Sequence, residues 1–240
     1  MQPLKITAYM GSAIACYDSY SPSLDSLIEW LILDKLNITS PNPTPEQVES
    51  TRYVVDREMP IAKGELMGEW YWQVSSPCYC IVSEYTDRYR KRWQPGIDSP
   101  PPVWGKRKAK WSTSEGAEKN YDLPLYCRNT PAISWYAVGD EGAIASLLQT
   151  CTHIQKKRSY GNGQVSQWDV EPIKDDWHLW RDNKLMRPMP YRLLYSDPRI
   201  LQSEPVMMNW GWRPPAWLPS NKEVCVMPKE NVCHLTTVQV

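Results

Sequence analysis

Phenylalanine does not occur in this 240-residue chain, although it holds 13 tryptophans and 14 tyrosines. Every aromatic ring therefore carries a hydrogen-bonding group or a large stacking face, and some rings must fill core positions that Phe would ordinarily take. Long apolar runs are missing as well. Stretches such as Trp30–Leu33 end far short of the roughly 20 residues that span a bilayer. No basic segment followed by an apolar run opens the sequence, so neither a secretory signal nor a membrane partner is expected. Net charge is absent too: 27 basic and 27 acidic residues cancel, and affinity for a polyanion must come from local patches. Histidine is scarce, with His153, His178 and His234 the only three.

Cysteine is present in an odd number, seven. Without a signal segment these thiols are expected to be reduced, which places the protein in the cytoplasm. Cys78-Tyr79-Cys80 lacks the two-residue gap of a zinc knuckle, and Cys233-His234 has no matching pair nearby. Neither a metal site nor a cofactor is expected from such spacing. The apolar content of 42% and charged content of 22% are ordinary for a folded chain long enough to bury a core.

What is there reads as alternating strands and helices. Leu4, Ile6, Ala8 and Met10 alternate with Lys5, Thr7 and Tyr9, the period of a strand. Ser21-Pro22-Ser23 opens a helix with Asp25 in its first turn and Leu24, Leu27, Ile28, Leu31 and Ile32 at helical spacing. Asn37 to Pro45 is a Pro/Ser/Thr/Asn loop. Strands are predicted over Glu69 to Ser75 and Cys78 to Ser83, around a Ser-Ser-Pro turn, and over Ala132 to Val138. Glu141 to Thr152 carries Ile144, Leu147, Leu148 and Cys151 on one helical face, and Gly163 to Glu171 is the last strand. The order is βαββαβ, an α+β ferredoxin-like split unit over residues 1–175 whose antiparallel sheet two helices cover. Residues 176–240 are rich in Trp and Pro and are expected to form an ordered extension packed on that domain, since such Trp density is foreign to disordered chains.

Between the second helix and the last strand runs Lys156-Lys157-Arg158-Ser159-Tyr160-Gly161-Asn162-Gly163-Gln164-Val165. Three adjacent cations stand beside two glycines that let a backbone approach a ligand closely. Neither the GxxxxGK[ST] nor the GxGxxG order is present, so a phosphate held here points to a nucleic-acid backbone rather than a nucleotide-hydrolysing site. A second basic segment is the insertion at residues 84–121. Arg88, Arg90, Lys91 and Arg92 precede a Pro-rich tip, and Lys106, Arg107, Lys108 and Lys110 follow it, with Trp and Tyr interleaved. Two such clusters read as the arms of a projecting hairpin that offers phosphate pairing and stacking together.

These residues resemble the RAMP proteins of CRISPR effector complexes, and within them the 5′-handle-binding (Cas-five-type) subunit of type IV systems. The resemblance rests on Pro3–Thr7, Lys119–Leu125, Trp135–Asp140, Lys156–Val165, and Trp212-Arg213-Pro214-Pro215 with Trp217 to Asn221. Two positions depart from the pattern: Gln155 stands where a glycine is expected before the lysines, and Asn162 where an aromatic is common. The resemblance implies a RAMP/RRM-like domain with a basic thumb hairpin, and a non-catalytic subunit capping the 5′ handle of a CRISPR RNA (crRNA). Backbone and large subunits would be its protein partners, and target DNA would be met through the assembled complex. Lys156, Lys157 and Arg158 would pair with handle phosphates, Gly161 and Gly163 would admit the backbone, and Ser159 and Tyr160 would bond to or stack on splayed bases.

The alternative is a metal-independent RNA-cleaving RAMP enzyme. It needs a group that titrates near neutrality, and His153, two residues before the basic loop, is the one candidate; its other role is a helix-end histidine favoured by the dipole. A carbohydrate- or peptide-binding module built on the Trp-rich extension leaves the three basic clusters without a role.

Overall fold

In the computed structural model, which describes residues 1–16, 18–38, 44–92, 114 and 119–229, the chain is mixed α/β, with small antiparallel sheets and few helices. The elements up to the end of the basic loop's strand are β1 (Gln2–Met10), β2 (Ile14–Ala15), α1 (Leu24–Lys35), α2 (Pro45–Glu58), β3 (Lys63–Leu66), β4 (Glu69–Trp72), β5 (Cys78–Tyr79), β6 (Ser83–Lys91), β7 (Tyr121–Asn129), β8 (Ala132–Gly139), α3 (Glu141–Leu148) and β9 (Val165–Pro172). The rest comprises β10 (Trp180–Arg181), β11 (Lys184–Leu185), β12 (Met189–Pro190), α4 (Tyr191–Leu194), α5 (Pro198–Leu201), β13 (Met207–Gly211) and β14 (Lys222–Val226).

The central sheet has the order β5-β8-β1-β9, every neighbour antiparallel. Alternation along β1 sends Leu4, Ile6 and Ala8 to one face, where each is fully buried. There they meet Leu24, Ile28, Leu31 and Ile32 of α1 and Ile144 and Leu148 of α3 in one apolar core. Each such aliphatic side chain contributes roughly 1.5–3 kcal/mol by leaving water. Trp135 lies in the same core, fully buried, and its indole N–H donates to the Pro22 carbonyl at 2.9 Å. Tyr136 and Cys78 point to the opposite face and pack with Met186, Trp177 and Ile173 of the segment after β9.

Local signals explain the helix starts. Ser23 caps α1 by accepting from the Ser26 N–H, and Asp140 caps α3 by accepting from Ala143. The sequence reading has no counterpart of α2, which begins where the loop Asn37 to Pro45 was expected to end. Thr44 and Gln47 form a reciprocal capping box there, with Pro45 at the first helical position. Helix α3 ends at Leu148, four residues before the expected Thr152. The predicted strand Cys78 to Ser83 divides: Cys78–Tyr79 completes the central sheet, while Ser83 begins β6. The predicted strand Glu69 to Ser75 stops at Trp72 and pairs with β3 in a separate hairpin.

Strands β6 and β7 pair over nine residues each, from Ser83↔Asn129 to Lys91↔Tyr121. The insertion's base is thus a two-stranded ribbon whose return arm is β7, beyond the expected boundary at residue 121. Lys106, Arg107, Lys108 and Lys110 lie outside the described residues. After β9 a second core forms around the sheet β12-β14-β13, from Leu185, Met189, Leu193, Leu194, Ile200, Trp212, Cys225 and Val226, together with Tyr71 of β4. Arg187 joins the two cores. Its guanidinium donates to the carbonyls of Trp72, Val74 (3.1 Å) and Trp212 (2.7 Å) and lies 3.6 Å from the Asp25 carboxylate, with both side chains buried.

Candidate nucleic-acid interface

After α3 the chain turns into the basic loop, and its base is clamped by backbone bonds. Ile154 N–H donates to the Gly163 carbonyl (2.9 Å), Val165 N–H to Thr152 (2.9 Å), and Gly163 N–H to Ala13 (2.8 Å). Between these clamps the tip turns through a 3₁₀ turn, Arg158–Tyr160. Gln155, Lys157, Gly161 and Gly163 all adopt positive φ, at 67°, 62°, 80° and 72°. The expected glycine at position 155 thus has a physical reason, since left-handed backbone costs a residue with a Cβ about 1–2 kcal/mol. Gly163 serves packing: a Cβ there would stand 2.0 Å from the Ile154 carbonyl oxygen. The close approach it permits is to the chain's own backbone. Gly161 has open space where a Cβ would go, so the approach of a ligand falls to that position.

The loop reaches two other elements. Lys157 Nζ sits 3.3 Å from the centre of the Tyr89 ring on β6, a cation–π contact. Tyr89 stacks on Tyr121 of β7 at 5.0 Å and meets Tyr160 of the loop edge-on at 4.7 Å. On the other side, the Arg158 guanidinium lies 5.1 Å from the Trp30 ring of α1. Two basic segments nearly 70 residues apart in sequence are therefore joined through Tyr89. The Tyr121 hydroxyl donates to the Tyr89 oxygen at 2.7 Å. That bond, followed by one from Tyr160 and by the Lys157 ammonium, holds the Tyr89 phenol below its ordinary value, while the same bond pushes Tyr121 up to about 12.

The remaining expected residues divide. Arg88 and Arg90 occupy one face of β6 and share the Asp122 carboxylate, at 2.8 and 3.2 Å, so part of their charge is balanced inside the ribbon. Burial works against ionisation of Asp122, but the Arg88 and Arg90 guanidiniums hold its carboxyl below the usual range. By alternation Lys91 shares the face of Tyr89, and Arg92 follows the strand, exposed. Lys156, Arg158, Ser159 and Tyr160 are exposed at the loop tip. His153 bridges its backbone to Gln164 and places Nδ1 3.0 Å from the Thr152 hydroxyl. His178 is buried between Asp176 and the Tyr71 hydroxyl, 3.2 Å from Nε2. Burial pushes its imidazole down, against the opposing pull of Asp176. His234 lies outside the described residues. Tyr89 and Trp30 have no site role in the sequence reading, and Tyr121 and Asp122 enter it only within the segment Lys119–Leu125; the interleaving of Tyr with cations is the available signal.

Among the described residues no three His, Cys, Asp or Glu side chains are placed to share a metal ion, and none of the six described cysteines is in a disulfide. No described helix is long and apolar enough to cross a membrane.

Fold and surface together define a mixed α/β protein that presents cations and aromatic rings side by side on a clamped loop and a two-stranded ribbon. Residues 2–228 match the family model described as CRISPR type IV associated protein Csf3, and the chain belongs to that family. No curated protein matches the chain at a significant level.

Proposed function

We propose that this protein is a non-catalytic crRNA-binding subunit of a cytoplasmic type IV CRISPR complex. It caps the 5′ handle of the guide, contacts the backbone and large subunits, and meets target DNA through the assembly. Family membership supports the CRISPR setting. The order β5-β8-β1-β9, with α1 and α3 in the two crossovers, supports a ferredoxin-like RAMP domain, since that is the order of a split βαβ unit. The β6–β7 ribbon supports the thumb.

The observation that carries the RNA reading is the seating of Lys157 on Tyr89, which makes one surface of the loop cations and the ribbon's rings. Single-stranded RNA is held by that combination, cations tracking phosphates while rings stack on bases. Holding is favoured over cutting because His178 is buried against Tyr71, while the imidazole of His153, at the loop base, bonds to the Thr152 hydroxyl and not to a second acid–base group.

The test is RNA affinity across a salt series for the wild type and for the double variant Lys157→Ala, Arg158→Ala. Removing two phosphate-pairing cations is expected to weaken binding at least about tenfold and to flatten the slope of log affinity against log salt by about 1.4. Unchanged affinity and slope would sink the assignment, and cleavage of the RNA by the wild type would favour the enzyme reading.

A further inference from the structure

A groove of about 1000 Å³ runs between α1, α2, the end of β13, the turn that follows it and the start of β14. Trp30, Trp210 and Trp217 wall it, and Lys156 of the basic loop and Lys222 of β14 also line it. Trp30 and Trp217 remain 38% and 46% exposed, so these indoles are not consumed by either core. Exposed apolar surface gathered in a concave site marks a binding site. Glu29, in the same lining, is only 7% exposed. Its Oε2 has no hydrogen-bond partner, and the nearest cation, Arg52 Nη1, stands 3.6 Å away. The two form an ion pair too long to be a hydrogen bond, and Arg52 Nη1 also lacks a hydrogen bond, so a buried acceptor and a buried donor face each other unsatisfied.

We propose that this groove receives one unstacked nucleobase of the RNA whose phosphates the loop holds, the base lying against the indoles with its N–H edge turned to Glu29. The proposal rests on the RNA reading above and deepens it. Lys156 belongs both to the loop and to the groove, so a strand held by the loop passes the groove mouth. Lys156 and Lys222 complement the phosphates that flank an inserted base, while the indoles stack on its face. Ionised Glu29 only accepts hydrogen bonds, and two donors on a base edge favour that ionised form, so the site selects a base edge that donates. Guanine fits best, because its N1–H and N2–H stand side by side as two donors.

The experiment uses the full chain, an RNA oligonucleotide covering the 5′ end of a guide from the same locus, and copies of that RNA with one abasic position each. One abasic position is expected to lower affinity about tenfold, the loss of a single stacked base, while the others lose little. Inosine in place of guanine at that position, which lacks the N2 amine, should weaken binding by a smaller factor. Ser50 lies exposed on α2 and lines the groove, so Ser50→Trp should block it and erase the penalty at that position while leaving the salt slope intact. Trp217→Ala, which empties a wall rather than filling the groove, should also reduce the penalty. Equal penalties at all positions, or a position-dependent penalty that survives both variants, would overturn the groove assignment and leave the loop reading standing. Loss of a co-purifying protein from Ser50→Trp, with RNA affinity and its position dependence unchanged, would overturn it in favour of a protein contact. Failure of the intact RNA to bind would overturn both readings together.

Discussion

The two glycines of the basic loop look equivalent in sequence and are not equivalent in space. Both have positive φ, but only Gly163 has a neighbour in the way, the Ile154 carbonyl oxygen at 2.0 Å from a built Cβ. Gly161→Ala should therefore cost about 1 kcal/mol, the strain of left-handed backbone alone. Gly163→Ala should cost at least about 2 kcal/mol, because the clamp to Ala13 and Ile154 must shift as well. Urea midpoints of the two variants check this, and equal losses would contradict it. The difference was not legible from the sequence, where a glycine says that some backbone needs freedom but not which atoms crowd it. The left-handed geometry of Gln155 was legible only indirectly, as a family position expected to hold glycine.

At the scale of elements, periodicity made β1 and α1 readable, because each alternates or repeats around one buried face, whereas β8, buried on both faces, and β9, buried only at Val165, were legible from apolar and aromatic content. Helix α2 escaped that reading: among its residues only Val48 and Val55 are buried, too few for a stripe, although the capping box at Thr44 and Gln47 was written in the chain. Strand β7 was obscured by Pro124, which normally argues against a strand. Among the described residues the second ladder on β7, that of β2, reaches only Arg128 and Cys127, away from Pro124. The contact of Lys157 with Tyr89, and the groove between α1 and α2, arise from packing between distant segments and have no local signature. Helices α1 and α2 also set up a titration. Burial, opposed by Arg52, raises the Glu29 carboxyl to about 7. The folded chain thus favours the protonated acid more than the unfolded chain does. The resulting stability is complete below the ordinary carboxylate value of 4.5 and is lost as pH rises towards 7. Glu29→Gln should flatten the fall in stability across that window, which in the wild type amounts to at most about 3 kcal/mol. Chemical denaturation at a series of pH values measures it, and an undiminished slope in the variant would contradict the assignment.

For the molecule as a whole, Arg187 is the joint between the two cores. Its guanidinium holds carbonyls of Trp72, Val74 and Trp212 and faces Asp25 of α1. Arg187→Met would leave that carboxylate without its cation and those carbonyls without their donor, at a cost of roughly 3–5 kcal/mol. Adding Asp25→Asn should recover part of the loss, and thermal unfolding of the single and double variants reads both. A loss under about 1 kcal/mol would mean the two cores are held together chiefly by apolar contact. The Trp-rich segment announced order through composition, whereas the buried arginine that fastens it was indistinguishable from a surface charge. Strand β1, finally, has a consequence for how the chain is made. Residues 2–10 are synthesised well before their partners, yet they pair with 132–139 on one side and 165–172 on the other. During translation this apolar strand waits for most of the polypeptide to leave the ribosome before either edge is satisfied. The interval falls where closing long loops is slow and unpaired edges invite aggregation, so β1 is the segment most in need of shelter by a chaperone.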